Sequence, residues 1–212
     1  MGIISKGILG GFSGTVGTVI GGTWKGITYM RSQPAKRAGS SSPAQLEQQA
    51  KFATAMKFVN TMSGLFMISF RTYAVKMTGI NNAFAYVLKN AITGIYPAYT
   101  IDYSTVLVSR GDLPNVLAPT AIAAAGSLIT FAWTDNAGVG IAKATDKAIL
   151  AVYCPAMNLC IYTTGSAVRS ALTDTIDVST FTGKVVETYI GFISEDGKNV
   201  ATSLYTGQLT VS

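Results

Sequence analysis

The chain has 212 residues, of which 49% are hydrophobic and 12% are charged, and its formal net charge is +6. Soluble domains usually contain about 25% charged residues, so this composition predicts exposed apolar patches of the kind that form interfaces. A well-buried monomer with a Thr, Ser and Asn surface is the alternative interpretation. The sequence has no histidine and two cysteines, which excludes histidine-based acid–base chemistry, histidine metal ligands and a four-cysteine zinc site.

Positive charge is concentrated in the first half of the chain. Residues 1–100 contain ten Lys and Arg against one acidic residue, Glu47, for a net +9, and residues 101–212 contain six basic and nine acidic residues, for −3. This asymmetry favours an acidic partner for the first half, either nucleic acid or the acidic second half of a neighbouring copy. A solvated basic face of helices would also account for it.

The glycine-rich N-terminal segment predicts a β-hairpin arm over residues 1–31. β-branched and aromatic runs flank Gly21-Gly22, which can supply the positive φ angles of a two-residue turn. An isolated hairpin is marginally stable, so this arm is expected to pack on the body of the protein or on a neighbouring copy. The Gly-xxx-Gly spacings at 10/14, 17/21 and 22/26 also fit close-packed membrane helices. The predicted contact residues of the arm are Phe12, Val16, Val19, Ile20, Trp24, Ile27 and Tyr29.

Basic residues are interleaved with the aromatic residues Trp24 and Tyr29 at the end of the arm, and the following linker, residues 32–42, adds two further basic residues. Such interleaving can neutralise phosphates and stack bases, so this stretch is the candidate site for nucleic acid or another anion. The aromatic residues also fit a hairpin that packs on a protein surface. The candidate anion-binding residues are Lys25, Arg31, Lys36 and Arg37.

Residues 43–100 are predicted to be mainly helical. Ser42 and Pro43 have the form of an N-cap and a first helical residue, with Gln45 completing a capping box, and this helix is expected to reach about Asn60. Residues 65–76 are ambiguous between strand and helix. A second helix is predicted over residues 81–93, with Gly94 as its C-terminal stop.

Residues 101–212 predict a series of short strands separated by turn signals, which favours a β-sandwich. Asp196-Gly197 is the clearest hairpin turn. The predicted fold class is therefore α+β, mainly β: a C-terminal antiparallel β-sandwich preceded by a small helical region and the glycine-rich β-hairpin arm. The predicted strands are Thr105–Ser109, Ser127–Trp133, Ala148–Cys154, Leu159–Thr163, Leu172–Val178, Lys184–Ser194 and Asn199–Val211.

The two cysteines flank one of these turns, and two arrangements are open. A loop over residues 155–159 would place Cys154 opposite Cys160, within reach of a disulfide. A loop over residues 155–158 would place them on opposite faces of the hairpin, where they cannot bond. In a chain made in the cytoplasm, buried free thiols are the expected state.

From about Thr120 to Ser212 the strand layout resembles a fibronectin type III-like or immunoglobulin-like sandwich. Trp133 closes an early strand, as in that family's core, and Tyr189 matches the aromatic residue that anchors its penultimate strand. The resemblance implies a sandwich core that contains Trp133, Tyr189 and Phe192, and it implies nothing about function.

The whole chain also resembles an uncharacterised bacterial family of unknown function. This resemblance implies one integrated fold and brings no catalytic residue or cofactor. The residues that carry it are Gly7-Ile-Leu-Gly-Gly-Phe-Ser-Gly14, Gly17-Thr-Val-Ile-Gly21, Trp24-Lys-Gly26, Arg31-Ser-Gln-Pro34, Lys89-Asn-Ala-Ile-Thr-Gly94, Ile101-Asp-Tyr103, Ser109-Arg-Gly-Asp-Leu113, Ser194-Glu-Asp-Gly-Lys198 and Tyr205-Thr-Gly207.

No pattern in the chain indicates catalysis. The glycine-rich stretches lack the Gly-Lys-Ser/Thr ending of a phosphate loop, and the acidic residues are scattered rather than paired. No signal peptide is recognisable, and the apolar run at 120–133 is too short to cross a bilayer as a helix. We therefore expect a protein that is not an enzyme, binds no cofactor or small-molecule substrate and is made in the cytoplasm, with the cell exterior or a virion left open as its final site.

These patterns together favour a structural protein that self-assembles into a filament, tube or shell. The arm would add to a neighbouring subunit by extending a sheet edge, and the partner would be another copy of the same chain. A phage-related origin is compatible with this pattern. The alternative function is binding to nucleic acid or an anionic surface through the basic first half.

Overall fold

The structure is a computed structural model that describes residues 2–4, 10–35, 40–74 and 76–212. The chain divides into two compact units, Met1–Ser42 and Pro43–Ser212. The boundary between them lies where the first helix begins.

The first unit is an antiparallel sheet. Its described strands follow one another in the sheet in chain order, so that the arm is a four-stranded sheet rather than a single hairpin. The strands are β1 Ile3–Ile4, β2 Phe12–Val16, β3 Val19–Trp24 and β4 Ile27–Ser32.

The predicted turn at Gly21-Gly22 is wrong. Both glycines lie inside β3, where Gly21 pairs with Gly14 of β2. Lys25 and Gly26 form the turn between β3 and β4 instead, with φ angles of 47° and 81°. Positive φ at both central residues is what a type I′ hairpin turn requires. In the sequence, Gly21-Gly22 looks like a stronger turn signal than Lys25-Gly26. In the structure, the glycine pair lies inside β3, and Gly21 allows the backbones of β2 and β3 to approach closely.

The second unit begins with the helices α1 Pro43–Val59, α2 Ser63–Ser69 and α3 Gly79–Asn90. Helix α1 agrees closely with its predicted bounds. The ambiguous segment from residue 65 is helical as far as Ser69. Helix α3 begins before the predicted residue 81, because the Thr78 side chain accepts a hydrogen bond from the Asn81 N–H and caps the helix.

The predicted second helix extends too far at its C-terminal end. Ile92–Ile95 and Ala98–Ile101 are the strands β5 and β6 of a hairpin. Gly94 is therefore a residue of β5 and not a helix stop. The side chains of Thr93 and Thr100 face each other across the hairpin, with their hydroxyl oxygens 3.1 Å apart. Such cross-strand contacts of β-branched residues favour a strand over a further helical turn.

The remaining strands form an antiparallel β-sandwich. One sheet has the order β10-β9-β12-β13, and the facing sheet has the order β11-β8-β7. The predicted fold class, α+β and mainly β with a C-terminal antiparallel sandwich, is confirmed. The strands are β7 Leu117–Ala124, β8 Leu128–Thr134, β9 Lys147–Cys154, β10 Leu159–Val168, β11 Thr173–Asp177, β12 Val185–Ile193 and β13 Leu204–Thr210.

Three strand predictions need correction. Residues 105–109 are not a strand: the Val108 N–H donates to the Ser203 hydroxyl oxygen (2.9 Å) rather than to a strand ladder. Strand β7 was not predicted. The residues before Trp133 read as one apolar run in the sequence, but positive φ angles at Gly126 and Ser127 form a turn that divides the run into the hairpin β7–β8. The last strand begins at Leu204 and not at residue 199, since residues 200–201 form only isolated bridges.

The central strands β9 and β12 of the sheet β10-β9-β12-β13 are buried on both faces. One face packs against the sheet β11-β8-β7, and the other packs against the helices. Side chains alternate between the two faces of the sheet along β12. Ile190 and Phe192 therefore pack in the sandwich interior, and Tyr189 packs on the helical side. The helical region and the sandwich therefore have separate cores on the two faces of one sheet, and they belong to one compact unit.

The cysteines take the second of the two arrangements left open. Cys154 pairs with Leu159 and Cys160 pairs with Tyr153, so the loop spans residues 155–158. The two thiols lie on opposite faces of the hairpin, and both are free and buried. The expectation of buried free thiols is confirmed.

Candidate interaction surface

The strand register of the arm sheet decides which side chains share a face. Ile20 pairs with Arg31, Gly22 with Tyr29 and Trp24 with Ile27. Because side chains alternate along a strand, these positions lie on one face of the sheet. This face, here called the aromatic face, consists of Ile20, Trp24, Ile27, Tyr29 and the cation Arg31.

The opposite face of the arm sheet is also apolar. Val16 pairs with Val19, and Gly21 pairs with Met30. Phe12 lies four residues before Val16 on β2, so its side chain is on the same face. Met30 was not among the predicted contact residues, although 70% of its surface is exposed.

Glycine at position 21 lets the two neighbouring strands approach closely. A Cβ at Gly21 would lie 2.3 Å from the carbonyl oxygen of Phe12 and 2.7 Å from its ring. No side chain larger than hydrogen fits at that distance, so the Phe12 ring covers the backbone of β3 directly. Gly21 is the one residue of the described arm that is buried.

The described arm sheet has no hydrophobic core. All residues of β4 are exposed, and the exposed fractions of Trp24, Ile27 and Val16 are 55%, 66% and 52%. A sheet needs a buried apolar face to be stable in water. The two exposed apolar faces of this sheet therefore form a candidate interaction surface.

The candidate anion-binding residues do not form a compact group in the described part of the arm. Lys25 lies in the turn before β4, and Arg31 lies near the far end of that strand. Neither forms an ion pair with a described residue. Lys36 and Arg37 lie outside the described residues.

The three predicted core residues are buried, but they do not all lie inside the sandwich. Trp133 and Phe192 pack edge to face in the sandwich interior, with ring centroids 5.4 Å apart. Tyr189 lies on the other face of its sheet, and its hydroxyl donates to the Tyr103 carbonyl oxygen (2.8 Å). Tyr189 thus anchors the segment that follows the β5–β6 hairpin to the central sheet, and its placement in the sandwich core is wrong.

A buried ion pair, which the sequence did not predict, closes one end of the sandwich. The Arg169 guanidinium donates to Asp146 Oδ2 (3.1 and 3.2 Å), to Asn136 Oδ1 (2.5 Å) and to the Pro114 carbonyl oxygen (2.9 Å). It also lies over the Phe192 ring. The exposed fractions of the Arg169 and Asp146 side chains are 0% and 1%. Charged residues are rarely buried unless they are paired, and no sequence spacing could have linked these positions.

Two of the cavities on the second unit are lined by charged or aromatic side chains. The larger, about 430 Å³, is lined by Lys143, Asp146, Glu195 and Asp196 together with neutral residues. The smaller, about 300 Å³, lies between α1, β6 and the β9–β10 turn and is walled by Phe58, Tyr99, Tyr103 and Tyr153. Within the described ranges, no three His, Cys, Asp or Glu side chains come together to hold a metal ion. None of the described helices combines the length and apolarity needed to cross a bilayer.

Burial also shifts the titration of several side chains in the second unit. Burial raises the pKa of the Cys160 thiol from its ordinary value of 9.0 to about 12. Burial likewise raises the pKa of the Tyr153 and Tyr189 hydroxyls above their ordinary value of 10.0. In the folded chain these groups stay neutral at pH values where the unfolded chain ionises them.

These shifts predict that alkaline pH destabilises the fold. The folded pKa values are raised, so the stabilisation is complete below the unfolded values and is lost as the pH rises above them. We expect a constant free energy of unfolding between about pH 7 and about pH 9 and a progressive fall at higher pH. Urea titrations across this pH range measure the free energy of unfolding.

A thiol reagent at neutral pH should modify both cysteines only after unfolding, and rapid modification of the native chain would contradict their burial.

The family model described as "Family of unknown function (DUF6266)" matches residues 11–207. The chain belongs to this family. The sequence resemblance to a family of unknown function over nearly the full length is thus confirmed, and the DUF6266 match includes strands β2 to β4 of the arm as well as the second unit.

No curated protein matches this DUF6266 chain. Among solved structures, the fn3 domain of the human collagen alpha-1(XX) chain, determined in solution, is similar to it with 10% sequence identity and a TM-score of 0.35. That match covers 49% of this chain and 90% of the collagen domain. The description of the sandwich rests on its strand order and not on this likeness.

Proposed function

We propose that this protein is a non-catalytic structural protein that self-assembles through its N-terminal arm. The observation that carries the proposal is the arm sheet, whose two faces expose Trp24, Ile27 and Met30 and bury no large side chain of their own. Covering either face removes a large apolar area from water, and this is the main driving force of protein association.

Charge supports a contact between copies. The arm and linker, residues 1–42, contain five basic residues and no acidic one. Nine of the ten acidic residues lie in the range 101–212 of the second unit. An arm that binds the second unit of the next copy joins unlike surfaces, and such head-to-tail contacts build rings or open polymers rather than closed pairs.

Deletion of residues 2–31 is expected to convert the assembled protein to single chains. The deletion removes both apolar faces of the arm and leaves the second unit, which has its own core, intact. Light scattering and negative-stain microscopy of the full chain and the truncated chain measure the change. A truncated chain that assembles like the full chain would refute the role of the arm.

The two tryptophans provide a second readout of the same experiment. Trp24 is 55% exposed and Trp133 is 5% exposed, so burial of the arm should shift the emission of Trp24 to shorter wavelength and leave that of Trp133 unchanged. The Trp24→Phe variant is the matched control and should show no shift.

A full chain that stays monomeric and binds nucleic acid with strong salt dependence would instead support the alternative function, binding through Lys25, Arg31 and the linker.

A further inference from the structure

We propose that the arm of one copy docks on the free edge of strand β10 in the next copy, with β4 as the added strand. This proposal rests on the proposed function and names the acceptor surface that it requires. Strand addition to a sheet edge satisfies the backbone N–H and C=O groups that the edge leaves unpaired.

The sandwich has four edge strands, and β10 is the one least protected against strand addition. β11 carries two carboxylates, Asp174 and Asp177, which discourage a pairing strand. β7 contains Pro119, which cannot donate a hydrogen bond, and its register shifts between residues 117 and 120. β13 ends beside β7, where the Ser212 hydroxyl donates to the Ala124 carbonyl oxygen.

Strand β10 lacks each of these defences in its first half. Its ten residues include no charge and no proline. Residues 159–164 pair regularly with β9, and the irregularity of the strand begins only beyond Thr164. Leu159 and Tyr162 expose 40% and 36% of their surfaces along this stretch. A long, uncharged and regular edge of this kind is a template for another strand.

The arm offers a strand of matching form. β4 is an edge of the arm sheet, has six residues and is exposed along its whole length. The other edge, β1, has only two residues. The regular part of β10 spans six positions, from Leu159 to Thr164, so the two edges match in length. Arg31 is the only charge on β4, and Asp174 contacts Ser166 just beyond the regular part of β10. If β4 runs parallel to β10, these two opposite charges lie at the same end of the paired edges.

The experiment uses two leucines at opposite edges of the same sheet. Leu159 in β10 and Leu204 in β13 expose 40% and 39% of their surfaces. Leu159→Lys places a charge on the proposed acceptor edge and is expected to abolish the assembled species in light scattering. Leu204→Lys introduces the same charge at the same exposure and is expected to assemble like the unsubstituted chain. Circular dichroism and thermal unfolding establish that both variants fold.

Hydrogen exchange on the unsubstituted chain tests the same contact without a mutation. Assembly should increase amide protection in residues 27–32 and 159–164 but not in 204–210. Normal assembly of Leu159→Lys, or loss of assembly in both variants, would overturn the assignment to β10. If Leu159→Lys assembles and only the arm deletion abolishes assembly, the acceptor edge is wrong while the proposed function stands. A full chain that never assembles refutes both.

Discussion

Replacing Asp146 by alanine is expected to lower the free energy of unfolding by about 3–5 kcal/mol, because the substitution leaves a buried guanidinium without its counter-ion. The Arg169 side chain has an exposed fraction of 0% and cannot turn to solvent without opening the end of the sandwich. The Lys143 N–H also loses its acceptor, Asp146 Oδ2, at 2.8 Å. Urea unfolding followed by circular dichroism measures the difference.

The matched control for this variant is Lys198→Ala. Lys198 and Asp196 form an ion pair with an N–O distance of 3.6 Å, but both side chains are largely exposed. Exposed ion pairs contribute little to stability, so the midpoint of unfolding should not change. If Asp146→Ala and Lys198→Ala had equal effects, the burial of the Arg169–Asp146 pair would be contradicted.

Replacing Phe58 by alanine is expected to destabilise the whole second unit by about 3–5 kcal/mol. The Phe58 ring on α1 is 1% exposed, and it packs edge to face against Tyr153 of β9 with centroids 4.9 Å apart. Phe52→Ala on the same helix is the matched control, since Phe52 is 51% exposed and contacts Phe84 of another helix. Its effect should be much smaller.

The Phe58 variant also tests whether the helices and the sandwich unfold together. In a Trp24→Phe background the fluorescence of Trp133 reports on the sandwich alone, and circular dichroism reports on the helices as well. Because Phe58 joins the two layers, both probes should shift to the same lower midpoint. Separate transitions, with the Trp133 signal unaffected, would mean that the helical region is an independent domain.

Prediction from sequence succeeded where a local pattern determines the structure. The capping sequence at Ser42-Pro43 placed the start of α1, and the turn signal at Asp196-Gly197 placed the end of β12. The turn signals between the strands placed β8 and β9 to within one residue at each end and placed the start of β10 at Leu159, although β10 extends five residues beyond its predicted end. These features depend on the backbone preferences of short segments, and those preferences can be recognised directly in the sequence.

Prediction failed where a distant contact determines the structure. Val108 looks like a strand residue, but Ser203 supplies its hydrogen-bond partner, so no ladder forms there. The faces of the arm depend on which residues form the hairpin turn, and Lys25-Gly26 forms it instead of the predicted Gly21-Gly22. The pairing of Arg169 with Asp146 joins positions 23 residues apart in the chain. Such contacts follow from the tertiary fold and leave no local pattern.

The double burial of the central sheet has a consequence for the fate of misfolded chains. Residues 148–154 of β9 are seven consecutive uncharged, buried residues, which the helices cover on one side and the second sheet on the other. A segment that is apolar, rich in β-forming residues and free of charge and proline aggregates readily when it is exposed. The helical layer therefore shields this strand from solvent, and a chain that loses the layer through truncation or partial unfolding is expected to aggregate.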